Sequence, residues 1–313
     1  MSKSLTPGYK LATYQSAAGP RAGLIVDDKL FDVASLTRKP AYATVLGILN
    51  DWKSAQAALK TAAANAGKSR VKSRPLARTK LLAPVLWPSA IYCAGANYAD
   101  HVAEMNRANN RPDEPDPHTL GLQSWHFIKA SRSLANPGAT IKISDYSKMM
   151  DWEIELAAVI GRAAKHVSVE KALGYVAGYT CANDLSARDR GRRPHVPDTS
   201  PFKADWVAHK SFDGSCPLGP WIVPASDIKE PQNLGLKLWV NGAIKQDSNT
   251  SRMIFTLAEQ IAHLSSRLTL HPGDLILTGT PAGVGMGRKE FLQAGDVVKI
   301  WIEGIGEISN RMA

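Results

Sequence analysis

Cysteine is nearly missing from this chain: Cys93, Cys181 and Cys216 are the only three in 313 residues. They lie far apart, are odd in number and show no CxxC spacing, which argues against both a zinc site and a disulfide framework. Reduced thiols, and with them a cytoplasmic setting, are the simplest expectation. No stretch approaches the ~20 consecutive apolar residues that a membrane-spanning helix needs. The opening Met1–Pro7 is not followed by an apolar core of signal-peptide length. Internal repeats and low-complexity tracts are absent. Acidic residues are the scarcer sign, 28 against 38 Lys and Arg, which leaves a net charge of +10. Such a surface admits nucleic-acid or membrane binding. The basic residues are scattered, however, with short clusters only at residues 68–78 and 188–193. Neither a nucleic-acid nor a membrane partner is expected, and an attraction for acidic small molecules is what remains.

What is present is a chain with 44% hydrophobic residues, adequate for a packed core. Its length suits one large domain or two unequal ones. Residues 11–14, 22–26 and 30–33 read as short strands separated by Gly19-Pro20 and Asp27-Asp28 turns. Residues 41–66 carry helical spacing, with Val45, Ile48, Leu49 and Trp52 as the buried stripe. A basic connector follows, and a domain boundary is expected near residue 80. Residues 1–80 then form a small domain without a catalytic constellation, and residues 81–313 the main one.

The stretch Asp151–Ile160 reads as a buried strand with acids in it. Side chains alternate, so Glu153 and Glu155 share a face with Ala157 and Val159, while Ile154, Leu156, Ala158 and Ile160 fill the other. Two carboxylates roughly 7 Å apart on an apolar face are costly unless a cation neutralises them. Residues 175–189 read as a second apolar strand ending in an acid, and Asp184 is the natural third carboxylate. Three carboxylates without clustered Cys or His make an all-oxygen site, suited to Mg²⁺, Mn²⁺ or Ca²⁺.

Other candidates lie around this strand pair. Residues 91–105 read as a strand, a turn and a helix capped by Asn97. On that helix His101 and Glu104 are neighbours on one face, which suits a general base and the group that orients it. The proline-rich segment 106–124 reads as a lid, with His118 in it as an ordinary solvated histidine. Lys129 could face either substrate or solvent. Lys210, amid apolar strand material, could place a cation over developing negative charge. Asn241-Gly242 signals a hairpin, and Thr256-Leu257-Ala258-Glu259 a capping box. Residues 275–285 read as a strand running into a glycine-rich loop. It is no P-loop, yet its N–H groups could hold an anion.

Taken together, Gly95–His101, Glu153–Leu156, Asn183–Asp189, Lys210–Asp213 and Leu277–Gly285, in this order, resemble the fumarylacetoacetate hydrolase family over essentially the whole chain. The resemblance implies an α+β, β-rich fold, a mixed β-sandwich roll behind a small N-terminal α/β domain, and a homodimer. It implies Mg²⁺ or Mn²⁺ on Glu153, Glu155 and Asp184, with Asp100 as a further ligand in some members. His101 and Glu104 take the position of the lid acid/base pair, and Lys210 that of the active-site lysine. Thr280, Arg188 and Tyr98 fall on substrate-contacting motifs. Ala96, Asp151-Trp152 and the long segment 106–124 depart from the common pattern and bear on substrate choice. The expected reaction is hydrolysis of a carbon–carbon bond in a β-dicarbonyl acid such as an acylpyruvate, through a metal-bound enolate. Decarboxylation, isomerisation or hydration of an oxo-acid is the alternative.

Overall fold

A computed structural model describes residues 8–143 and 145–313; the opening Met1–Pro7 stretch lies outside the described residues. The elements that matter for the site are, in chain order, strands β1 (Lys10–Ser16), β2 (Gly19–Val26) and β3 (Lys29–Asp32), and helices α1 (Val45–Asn50) and α2 (Trp52–Asn65). Then come β4 (Ile91–Ala94), α3 (Ala99–Ala108), β5 (His126–Lys129), β6 (Ile154–Ile160) and β7 (Val176–Asn183). The chain closes with α4 (Trp206–Lys210), β8 (Cys216–Pro224), β9 (Gly235–Val240), β10 (Ala243–Asn249), α5 (Leu257–Arg267), β11 (Leu275–Leu277), β12 (Val297–Ile302) and β13 (Gly306–Met312).

Two sheets dominate. The larger runs β3-β2-β1-β8-β7-β6-β11-β4-β5, with short strands added at its margins. The smaller runs β10-β9-β12-β13 and ends on Thr140–Ile141. The expected β-rich α+β roll is therefore the observed architecture. Two-residue strands fall on either side of the boundary expected near residue 80: Arg74–Pro75 pairs with β3 and Leu81–Leu82 with β1. β1 itself pairs with β8 through Leu11 and Ile222.

β6 separates two apolar cores, as its alternation requires. Ile154, Leu156, Ala158 and Ile160 pack with Leu236, Leu238, Ile300 and Ile302 of the smaller sheet and with Leu257 and Ile261 of α5. Ala157 and Val159 pack on the other side with Ile48, Leu49, Trp52 and Leu59 from the N-terminal helices. The site sits at the end of this second face.

Local signals held where their chemistry is self-contained. Thr256 and Glu259 form the capping box of α5. Asn241 and Gly242 both adopt positive φ, 51° and 82°, and turn the β9–β10 hairpin. Others gave way to tertiary contacts. The helix expected over 41–66 breaks at Asp51, whose backbone is non-helical and whose carboxylate accepts a 2.6 Å hydrogen bond from the Tyr42 hydroxyl. The stripe Val45, Ile48, Leu49 and Trp52 is buried all the same.

Candidate metal and catalytic site

The register of β6 against β7 builds the floor of the site. Glu155 lies opposite Ala182 and Ile154 opposite Asn183, so Asp184, two residues past Ala182, joins Glu153 and Glu155 on one face. The Asp184 N–H closes the corner by donating to the Glu153 carbonyl at 2.8 Å. All three carboxylates are buried, and each offers an oxygen within 4.8 Å of the others. This trio can hold one metal ion.

The neighbours show why such a cluster survives burial. Lys129, wholly buried, places Nζ 2.6 Å from Asp184 Oδ1. Lys210 Nζ reaches the other Asp184 oxygen at 2.6 Å and Glu153 Oε2 at 2.8 Å. Arg188 spans Glu153 (2.5 Å) and Asp151 (2.8 Å). Four acids thus face three cations, and among the described residues Glu155 is the one of the four without an ion-pair partner. Its single protein contact of note is the Gly279 N–H, 2.6 Å from Oε2. Gly279 has φ +95°, and a Cβ there would lie 2.8 Å from the Asn97 side chain, so the glycine is what lets the loop backbone approach.

The electrostatics follow the same division. Burial works against ionising Glu153, but Lys210 and then Arg188 override it and hold that carboxyl below the usual range. Burial and then the facing charges of Asp184 and Glu153 push Glu155 well above it. Burial tends to strip the Lys210 proton, yet Asp184 and Glu153 keep it firmly ammonium. One carboxylate in excess, aimed at two others, with only oxygen donors, fits a hard divalent cation.

Helix α3 brings His101 close enough to the floor for its charge to help hold the Glu153 carboxyl down. His101 Nδ1 and Glu104 Oε2 are 3.8 Å apart, an ion-pair distance rather than a hydrogen bond, and Nδ1 has no other partner. Glu104 is anchored by the Gly283 N–H at 3.0 and 3.1 Å. Partial burial opposes its ionisation, but the His101 ring and the Gly283 N–H bring its carboxyl below the ordinary value. Asp100 does not join the trio. It accepts from the His101 N–H at 2.9 Å and from Ser248 at 3.3 Å, tethering the helix.

Several residues behave differently from their sequence reading. Asn97 does not cap α3; Tyr98 is the N-cap residue and offers no side-chain bond. The Asn97 amide instead donates to the carbonyls of Thr278 (2.8 Å) and Phe255 (3.0 Å) and accepts from the Phe255 N–H (2.8 Å), tying the start of α3 to the glycine-rich loop. Lys210 sits at the end of helix α4, not in a strand. His118 is not merely solvated. Its ring lies between Asp116 (2.9 Å) and Glu259 (3.1 Å) and is tilted against Phe255, centroids 4.6 Å apart. Thr280 is buried and its Oγ1 accepts from Gln246 Nε2 at 2.9 Å. Tyr98 is fully buried with an unpartnered hydroxyl, near enough to Glu155 and Asp100 that burial and their charges raise its pKa well above normal.

Two contributors escaped the sequence reading. Lys129 gave only an even choice between substrate and solvent, although Phe127 and Lys129 share a strand face directed inward. Asp151 was read as a departure from a pattern. In the structure its carboxylate accepts from the Gly285 (2.5 Å) and Met286 (3.0 Å) N–H groups as well as from Arg188, fixing the loop beyond the site.

A roll with a buried carboxylate trio beneath a histidine-bearing helix defines a metal-site enzyme class, and comparison with known proteins identifies which one. The family described as fumarylacetoacetate (FAA) hydrolase C-terminal matches residues 90–313, and the chain belongs to that family of enzymes. Among named relatives, the mitochondrial oxaloacetate tautomerase Fahd2a of Rattus norvegicus is 42% identical over 241 residues, 76% of this chain and 71% of the relative. Among solved structures, the fumarylacetoacetate hydrolase of psychrophilic Exiguobacterium antarcticum superimposes with a TM-score of 0.75 at 30% identity, covering 97% of this chain and 99% of its own. The maleylpyruvate hydrolase of Sphingobium sp. SYK-6, solved with manganese(II) and pyruvate, gives a TM-score of 0.72 at 28% identity, covering 97% and 98%. No helix among the described residues is long and apolar enough to cross a membrane.

Proposed function

We propose that this enzyme moves protons on a small 2-oxo acid, and that its leading reaction is keto–enol tautomerisation of oxaloacetate. The observation that carries the proposal is the pairing of His101 and Glu104 on a helix held over the carboxylate trio. The 42% identity to a named oxaloacetate tautomerase supports the choice of substrate. Glu153, Glu155 and Asp184 would hold the Mg²⁺ or Mn²⁺, or Ca²⁺, that an all-oxygen site suits. When bound, such an ion supplies Lewis-acid stabilisation of negative charge on the substrate's oxygens.

The protein's own groups do the rest. His101 takes the proton leaving one substrate atom and returns one to the other, C3 or the C2 oxygen according to direction. Glu104, held by Gly283, orients the ring and supports its positive form. The Lys210 ammonium faces the negative charge that builds during enolisation. Thr280, with Oγ1 already accepting from Gln246, has its hydroxyl proton free to donate to substrate. Tyr98 and Arg188 complete the polar lining, Arg188 chiefly by positioning Glu153. The enzyme acts on a small molecule and works as a homodimer.

A second reading is favoured by the maleylpyruvate hydrolase neighbour. Here the same groups hydrolyse an acylpyruvate. Water adds to the remote carbonyl as His101 accepts its proton. The carbon–carbon bond breaks, its electron pair passes to C3, and protonation there leaves pyruvate beside a carboxylic acid.

Both readings are tested by following the enol absorbance of oxaloacetate and pyruvate release from acylpyruvates with the metal-loaded enzyme. Acceleration of the first without the second supports tautomerisation, and the converse supports hydrolysis. Full activity in a His101→Ala, Glu104→Ala double variant would refute the assigned roles.

A further inference from the structure

The floor continues outward into an aromatic wall that the chemistry above does not use. It begins at Phe127, whose ring lies 5.0 Å from Lys210 Nζ, the ammonium that bridges Glu153 and Asp184. Phe127 stacks on Trp206 with centroids 5.3 Å apart and planes 21° apart. Trp125 closes the group edge-on to Trp206 at 5.5 Å and tilted to Phe127 at 6.1 Å. At its far side Trp125 packs against Gly95, just ahead of the helix that carries His101. A Cβ on Gly95 would come within 2.0 Å of the indole, so only glycine leaves room for it. The wall therefore spans the gap between the two catalytic flanks, from Lys210 to the start of α3.

Trp125 and Trp206 are each 46% exposed. Large aromatic rings left open beside a buried charged site are what a small-molecule pocket uses to hold the non-reacting part of its ligand. No anion-binding cation is directed from the wall itself, and the one ammonium at its inner end already serves two carboxylates. A flat π-system can lie against Phe127 and Trp206. Resting on the acylpyruvate reading above, we infer that Trp125, Phe127 and Trp206 form the tail subsite and select acylpyruvates bearing an aryl tail.

The experiment compares benzoylpyruvate with acetylpyruvate, which share a head and differ in the tail. Wild type is expected to favour the phenyl tail by at least tenfold in kcat/KM. Trp206→Ala is expected to remove most of that preference through KM, with a much smaller loss on acetylpyruvate, and Trp206→Phe to restore it. An unchanged ratio in both Trp206→Ala and Trp125→Ala overturns the subsite. So does a Trp206→Ala variant that turns from dimer to monomer in sedimentation with its tail preference intact, because the wall would then cover a second copy. Tryptophan fluorescence titration keeps the inference separate from the reaction assigned above. If no 2-oxo acid is turned over but benzoylpyruvate quenches far below the concentration acetylpyruvate needs, the wall stands and the proposed chemistry falls. Equal quenching by the two sinks the wall.

Discussion

The floor and the lid of this site are built on opposite principles. Glu153, Glu155 and Asp184 are positioned by backbone register between β6 and β7 and locked by Lys129, Lys210 and Arg188, all within a tightly buried cluster. His101 and Glu104 ride on a ten-residue helix that contributes a single buried residue, Asn106. That helix is held at its base by Asn97 and along its length by Glu104 and Asp100 to loop N–H groups. The floor thus carries its chemistry and its stability in the same residues, while the lid separates them. Under the proposed acid/base role, His101 gains from the looser arrangement, because its surroundings are not committed to one charge.

The sharpest break in that contrast is Asp184→Ala, which strands Lys129 in the interior and leaves Lys210 with Glu153 alone. Loss of one partner of a buried ion pair costs about 3–5 kcal/mol. Urea unfolding should show that loss, and calorimetric titration should show no Mn²⁺ binding; a wild-type Cm would mean that the floor is not held together by its charges. The lid should answer in the opposite currency. His101→Ala is expected to lower kcat by roughly 10²–10⁴ while moving stability by less than about 0.5 kcal/mol, measured by steady-state rates and thermal melts on one preparation.

Acid should loosen the floor's surroundings next. His209 precedes Lys210 and is held neutral by burial and then by Lys210 and Arg188, its pKa lowered to about 3. His126 at the start of β5 is lowered to about 4 by burial and then by His263. Both folded values lie below the unfolded value near 6.5, so below that pH the unfolded chain binds more protons. The stability they support is complete above pH 6.5 and is lost as pH falls toward 4, by on the order of 2–3 kcal/mol for one such largely buried ring. Unfolding free energies measured from pH 7.5 to 4.5 should fall, and His126→Phe should flatten the slope; an unchanged slope removes His126 from the account. The smallest effect is expected from Glu155→Gln. It relieves repulsion within the trio and should leave the metal-free protein equal to wild type or about 1 kcal/mol more stable, while abolishing metal binding. A large destabilisation of the metal-free protein would show that Glu155 has a cationic partner after all.

What could be read in the residue string was whatever depends on near neighbours. The alternation in Ile154–Ile160 assigned each side chain to its core, and Asn241-Gly242 and Thr256–Glu259 named their own turn and cap. The family motifs carried the rest of the trio and the pair on α3. The misreadings share a cause. Asn97 has the chemistry of a helix cap, but Phe255 and Thr278, more than 150 residues away, offer its amide three partners instead of one. His118 finds Glu259 across a gap of 141 residues. Lys129 looked ambiguous because its partner Asp184 lies 55 residues on.

Alternation, capping and turn chemistry are properties of a few adjacent residues, and so the order of residues alone pointed to the strand with two acids and to three carboxylates as a candidate donor set, while the β-rich roll followed from the resemblance of the motifs to a family. Which lysine neutralises which carboxylate, and that Glu155 is left without one, was settled only when β5, β6, β7 and α4 converged. Coulomb and hydrogen-bond energies act across space over a few ångströms and take no account of distance along the chain. The same holds for the aromatic wall, whose three rings come from two segments some 80 residues apart and meet only in the folded protein.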